Sequence, residues 1–177
     1  MLEALALDPL PWHLVHVFQV DERVAPDGDP ARNSTALQHA LLDRVDTNAY
    51  LMDVTASDLT DSPRRYAALL QARAPLDVVH LGIGDDGHTA SWPPGASVVD
   101  DRDHDVAIVG PFRGFVRMTI TPRVVDRAAA VVLLVAGADK ATALARALSG
   151  DRSLPASRVL GERTVIIADE AAAPAGS

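Results

Sequence analysis

Short, dense runs of apolar and β-branched residues punctuate the chain: LVHVFQV (Leu14 to Val20), DVVHLGI (Asp77 to Ile83), AAAVVLLVAG (Ala128 to Gly137) and TVIIAD (Thr164 to Asp169). Such runs give way to polar loops rich in Gly or Asp, as strands buried in a parallel sheet do. Between them, apolar positions recur at helical spacing in ALQHALLDRV (Ala36 to Val45), PRRYAALLQARA (Pro63 to Ala74) and DKATALARALSG (Asp139 to Gly150). Asp61 or Ser62 stands where an N-cap belongs ahead of Pro63, and Gly150 stands where a helix closes. The alternation predicts an α/β fold with a mainly parallel sheet. In such sheets the ligand binds at the C-terminal ends of the strands. A single domain is expected over residues 1–170, with residues 171–177 a disordered tail.

Composition narrows the chemistry. The chain has no cysteine, so a disulfide framework, a thiol nucleophile and any Cys-ligated metal are excluded. No apolar run reaches the roughly twenty residues of a membrane span, and MLEALALDPLPW lacks the basic start and apolar core of a secretion signal. The expected location is the cytoplasm. With 16 Lys and Arg against 24 Asp and Glu, the formal charge is -8, which repels a phosphate backbone or an anionic bilayer. Neither nucleic acid nor membrane is expected as a partner. An anionic ligand would therefore need a few local cations to hold it against the global field.

The stretch HLGIGDDGHTASWPPG, His80 to Gly95, is where chemistry concentrates. Gly82, Gly84 and Gly87 match the spacing G-x-G-x-x-G of a dinucleotide loop. That loop must open a long helix, however, and Pro93 and Pro94 follow too closely. Two aspartates would also oppose a pyrophosphate. A different reading fits better: glycines let the loop wrap a small ligand, and His88 points into the same cleft. Histidine is the side chain that titrates nearest neutrality, the property a general base needs. The plainer alternative is a turn histidine bonded to a neighbouring aspartate.

GIGDDGHTAS, preceded by Asp21-Glu22-Arg23 after a strand and followed by GADK (Gly137 to Lys140) after another, resembles the 6-phosphogluconolactonase family, within the group that includes glucosamine-6-phosphate deaminase. Asn33, Tyr66, RMTIT (Arg117 to Thr121) and Pro155-Ala156-Ser157 support the likeness, which runs from about Val15 to Asp169. It implies a Rossmann-like three-layer sandwich, no cofactor, no metal and a sugar phosphate lactone as the small-molecule partner. Thr89-Ala90-Ser91 follows the histidine as in the lactonases, where the deaminases carry an Asn-Glu-Pro continuation with an acid for ring opening. Two departures stand out. Trp92-Pro93-Pro94 replaces the family's Leu-Phe before its proline and glycine, and is expected to alter packing at the cleft rim. The family's opening strand and Gly-Gly-Ser/Thr phosphate loop have no counterpart here, so the chain is expected to be N-terminally truncated relative to the family, with a sheet edge or gap beside a central strand.

The resemblance implies that His88 is the general base that activates water for attack on the lactone carbonyl, and that Asp86 orients the loop or the imidazole. Arg23 and Lys140 become phosphate or substrate contacts, with Arg117 a third cation; Asp21 and Asn33 line the cleft, and Gly84 and Gly87 shape the loop. Asp85 is expected to be merely solvated. Ser91 has no G-x-S-x-G elbow around it, so a serine hydrolase is set aside. DDRDHD (Asp100 to Asp105) lacks the ligand spacing of a calcium loop and is expected to be a solvated loop. Two alternatives to the lactonase remain: an inactive or partner-dependent remnant that binds sugar phosphate, and the sister deaminase.

Overall fold

The computed structural model describes residues 1–56 and 58–173. In chain order the elements are α1 (Leu2–Leu5), β1 (His16–Phe18), β2 (Asp21–Arg23), α2 (Asn33–Leu37), β3 (Asn48–Tyr50), α3 (Ser62–Gln71), β4 (Val78–Leu81), β5 (Val106–Phe112), β6 (Phe115–Ile120), α4 (Pro122–Arg127), β7 (Ala130–Val135), α5 (Ala141–Leu148) and β8 (Thr164–Ala168). The fold is mixed α/β. Strands β4, β7 and β8 form one parallel sheet with β7 central, and β1 and β3 form a second parallel pair. An antiparallel sheet of β2, β6 and β5 lies beside them.

The four expected strands are present, each shorter than its apolar run. Val131, Leu133 and Val135 of β7 are buried on one face, against the inward residues of α5, Ala143, Leu144 and Ala147, within one core. The opposite face is less covered: Val78 and His80 of β4 and Val165 and Ile167 of β8 are exposed, and register aligns them across Ala130, Val132 and Leu134. Helix α3 buries Ser62, Tyr66 and Leu70, four residues apart and therefore on one face. Asp61 occupies the cap position but its side chain pairs with Arg64 at 3.4 Å and does not cap the helix's backbone N–H groups. The helix expected over Ala36 to Val45 starts earlier, at Asn33, and passes into a π-helical turn at Gln38–Leu42.

The antiparallel sheet carries the corrections. DDRDHD is not simply a solvated loop: Asp105 is buried, accepting from Arg123 Nε (2.9 Å), Arg127 Nη2 (2.7 Å) and Gln71 Nε2 (3.0 Å), and its chain continues directly into β5. Its polar composition hid an ion-paired anchor that ties α3 and α4 to the hairpin. Trp92 is likewise no rim residue. It is fully buried and donates its indole N–H to the Ile120 carbonyl at 2.7 Å, pinning the segment after His88 onto β6. At the C-terminus, Ala172 is buried and its N–H bonds to Asp169 Oδ1, while Pro174 to Ser177 of the expected tail lie outside the described residues.

Glu22, on the three-residue strand β2, is fully buried. An unpaired carboxylate there would be expelled or protonated. Instead it accepts the backbone N–H groups of Arg23 (2.7 Å), Asn33 (2.8 Å) and Ser34 (2.9 Å) and the Gln19 amide (3.0 Å), and pairs with Arg32 Nε at 3.0 Å. It thereby satisfies orphan donors at the start of α2 from across the chain. Burial pushes its pKa up, but the donors from Gln19, Ser34 and Arg32 outweigh it and hold the carboxyl at about 2, below the usual 4.5. A carboxyl depressed in the folded state stabilises fully above its unfolded value and ceases to do so as pH falls through its folded value. Unfolding in urea at pH 7, 5 and 3 should therefore show Glu22→Gln less stable than wild type at pH 7, with the gap narrowing between pH 4.5 and 2. Parallel pH profiles for the two proteins would remove Glu22 from this role.

Candidate active site

The loop leaving the C-terminal end of β4 folds back on itself at Gly84 to His88. The Gly84 N–H donates to the His88 carbonyl (2.8 Å) and the Gly87 N–H to the Gly84 carbonyl (2.9 Å). Both glycines are required, for different reasons. A Cβ on Gly84 would fall 1.9 Å from His88 Nδ1, so the imidazole lies against a position only glycine can occupy. Gly87 has φ +83°, where side chains are disfavoured, and a Cβ there would meet Leu154 at 2.7 Å.

Asp86 holds the histidine by two bonds. One carboxylate oxygen accepts the His88 backbone N–H at 3.0 Å and lies 2.6 Å from Nδ1. Burial raises the Asp86 pKa, but the His88 N–H, the imidazole and Arg113 together bring it below the ordinary value. Asp86 is thus an anion that engages Nδ1, which leaves Nε2 as the nitrogen for a ligand or water. The imidazole also meets the Phe112 ring edge-on at 5.1 Å. His88 is a turn histidine bonded to its neighbouring aspartate, and that bond orients its ring.

A second cluster forms where β2 pairs with β6. Arg23 is registered directly opposite Arg117, and Asp21 opposite Thr119. Arg117 is buried; its Nε donates to the Phe112 carbonyl (3.1 Å), and its Nη1 lies 3.7 Å from Asp21. Burial first, and then the positive charge of Arg23, lower the Arg117 pKa, although Asp21 offsets part of this. Two arginines side by side repel each other, and an anion placed between them would relieve that repulsion. Arg23 also holds the Ala31 carbonyl through Nη1 (2.7 Å), while its Nε is buried with no partner among the described residues.

Asp21 joins the two clusters. Burial pushes its carboxyl up, against the Ser91 hydroxyl and Arg117. Its oxygens accept from Ser91 Oγ (2.6 Å) and from Asn33 Nδ2 (2.9 Å). Ser91, three residues beyond His88, is therefore a fully buried strut and no nucleophile. Lys140 follows Gly137, whose φ is +99°, and pairs with Asp139 at 2.8 Å; its charge reaches Asp85.

Asp85 is not merely solvated. Arg113, at the tip of the β5–β6 hairpin with φ +48°, pairs with Asp85 and reaches Asp86 at 3.4 Å. Neither Arg113 nor Phe112 was singled out from the sequence. GPFRGF is short and shows the Arg-Gly of a turn, which signals a hairpin tip but not which loop it crosses to. Asp85, Asp86 and His88 offer ligand atoms within 4.8 Å of one another, as a metal site would require. Those atoms already serve Arg113 and the imidazole, so the trio is accounted for as an ion-paired loop.

Residues 1–167 match the family model described as glucosamine-6-phosphate isomerases/6-phosphogluconolactonase. A 6-phosphogluconolactonase from Synechocystis sp. is 40% identical over 157 residues, covering 81% of this chain and 64% of that protein. One from Streptomyces coelicolor is 35% identical over 189 residues, covering 95% and 72%. A glucosamine-6-phosphate deaminase from Halalkalibacterium halodurans is 33% identical over 181 residues. The crystal structure of the Thermotoga maritima 6-phosphogluconolactonase superposes with a TM-score of 0.85 at 26% identity, covering 94% of this chain and 77% of that one. The chain spans slightly less than two thirds of the Synechocystis relative's length. It belongs to the glucosamine-6-phosphate isomerase/6-phosphogluconolactonase family.

Proposed function

We propose that this chain hydrolyses 6-phospho-D-glucono-1,5-lactone to 6-phosphogluconate, the lactonase step of the pentose phosphate pathway, in the cytoplasm and without a nucleic-acid or membrane partner. The observation that carries the reading is the Asp86–His88 pair, a 2.6 Å contact at Nδ1 that directs Nε2 to the reacting water. No helix among the described residues is long and apolar enough to cross a membrane.

A lactone is an activated ester, so the protein needs to hold the phosphate, place water and favour the charge that develops on the carbonyl oxygen. In this reading His88 Nε2 takes a proton from water as its oxygen attacks C1. The tetrahedral intermediate then collapses, the bond from C1 to the ring oxygen breaks, and His88 returns the proton to that oxygen. Asp86 stabilises the imidazolium in between, as a neighbouring carboxylate does. Arg23 and Lys140 bind the phosphate, Arg117 adds to the positive field, and Asp21 and Asn33 set the cleft wall. Gly84 and Gly87 give the loop its close approach. Arg113, through Asp85 and Asp86, is a positioning residue for the histidine.

The sister deaminase activity is disfavoured by the segment after His88, Thr89 to Gly95, which contains no carboxylate to open a ring. Its Ser91 is committed to Asp21. Ammonia release from glucosamine 6-phosphate exceeding lactone turnover would reverse this preference.

Hydrolysis of freshly generated lactone, followed against its spontaneous opening, tests the assignment. His88→Ala should lower kcat by about 10²- to 10⁴-fold, the usual worth of general acid–base catalysis, with the thermal melt unchanged. A wild-type rate in that variant rules the mechanism out. Gly84→Ala should behave like His88→Ala in kcat, because its methyl must displace the imidazole; a full rate there would show that the ring is not held against Gly84. Arg113→Ala should reduce kcat several-fold and alter the pH dependence of kcat/KM, while Arg113→Lys restores much of both. A pH profile identical to wild type would reduce Arg113 to a hairpin-tip contact.

A further inference from the structure

We infer that the chain has a second anion site, separate from the cleft of His88, that takes the phosphate group of a small phosphorylated metabolite. A cavity of about 390 Å³ opens between α4 and the turn that follows α5, lined by Arg102, Asp126, Arg152, Ser157, Arg158 and Leu160 among others. That volume is within the range of small-molecule sites, roughly 300–1,000 Å³. Its wall holds three arginines against one carboxylate, on a chain whose formal charge is -8. Local cations on an acidic protein indicate an anionic ligand, since they lower the cost of bringing it in.

The state of each arginine sharpens the case. Arg152 is exposed and pairs with no carboxylate among the described residues. Arg102 reaches Asp126 only at 3.4 Å, a weak exposed pair. Arg158 pairs with the largely exposed Asp100 at 3.1 Å through Nη2, and its Nε is buried with no hydrogen-bond partner among the described residues. A phosphate oxygen in the cavity would add charge-assisted bonds to the guanidinium groups that line it. Leu160 and Pro122 supply the apolar part of the wall, enough for a small carbon skeleton. The concave shape favours a small molecule over an extended acidic peptide.

The site is also connected to the catalytic loop. Arg158 lies on the 3₁₀ turn Pro155–Val159, and within that turn the Ala156 N–H donates to the Gly87 carbonyl at 3.0 Å. Leu154, just before the turn, packs against Gly87 so closely that no side chain fits there. A ligand that draws Arg158 into the cavity pulls on the turn that supports Gly87, next to His88. The second site therefore acts on the first through that hydrogen bond and that contact.

The test uses inorganic pyrophosphate as probe on the full chain, read by backbone amide NMR. Saturable shifts are expected at Gly150, Ser157 and Gly87, in wild type and in Arg23→Ala, where the cleft cation is removed. Arg152→Glu, at an exposed and unpaired position that should leave the melting temperature unchanged, should weaken this binding at least about tenfold. Shifts confined to residues 21–23 and 84–88 and abolished by Arg23→Ala would overturn the second site. So would a titration indifferent to Arg152→Glu. A Gly87 amide that stays still while Gly150 and Ser157 move would overturn the coupling.

Discussion

The buried carboxylate of Glu22 organises the ligand-facing side of the molecule. By accepting N–H groups from Arg23, Asn33 and Ser34 at once, it fixes the start of α2 against the end of β2. Gln19 extends the same network to the segment just after β3, because its amide oxygen accepts the Met52 N–H at 2.7 Å. Asn33 and Asp21 then meet at 2.9 Å, and Asp21 receives Ser91 from the catalytic loop. Each link is short and at least partly shielded from water, so each costs more to break than an exposed bond would. The carboxylate gains this role in part because the Asn33 and Ser34 N–H groups, at the start of α2, have no partner within the helix.

From that frame the charge distribution follows. Arg23 and Arg117 sit opposite one another across β2 and β6, and both are constrained by carbonyls that hold their guanidinium groups in place. Phe112 lies beneath Arg117 at 5.2 Å and beside His88 at 5.1 Å, so one aromatic ring touches the cation cluster and the imidazole together. Cation–π contact offers Arg117 part of the solvation that burial removes. A protein with an excess of acids thus concentrates preorganised positive charge beside the loop that carries His88. Preorganised charge does not have to reorient as the reaction proceeds, and that is its catalytic value.

The sequence disclosed the parts whose physics is local. Strand runs such as AVVLLV, the glycine spacing around Asp85-Asp86 and the proximity of Asp86 to His88 all depend on residues close in the chain, and the structure has them together. What escaped depends on pairings between distant segments. The hairpin of β5 and β6 begins in an acidic stretch that reads as a solvated loop, because Asp105 finds Arg123, Arg127 and Gln71 only after folding. Arg113 bridges to Asp85 across 28 residues of sequence, and the indole of Trp92 reaches Ile120 at the same separation. Glu22 was visible as the middle of a motif, but its service to α2 was not, since the capping carboxylate lies outside the helix it caps. A one-dimensional pattern records burial and turn chemistry; it does not record which donor a buried acceptor will meet.

Gly87 shows how loop strain and support combine. Its φ of +83° turns the chain sharply enough to return His88 over Gly84, and the turn is braced from behind by Leu154 and by the Ala156 N–H. The bracing residues lie far along the chain from the loop, and any displacement of them transmits to it through a backbone hydrogen bond and van der Waals contact. Close-packed neighbours shift between discrete arrangements and do not deform smoothly. His88 is therefore held from two sides: by Asp86 in front, which sets the orientation of its ring, and by the Pro155–Val159 turn behind, which sets where the loop that carries it can lie.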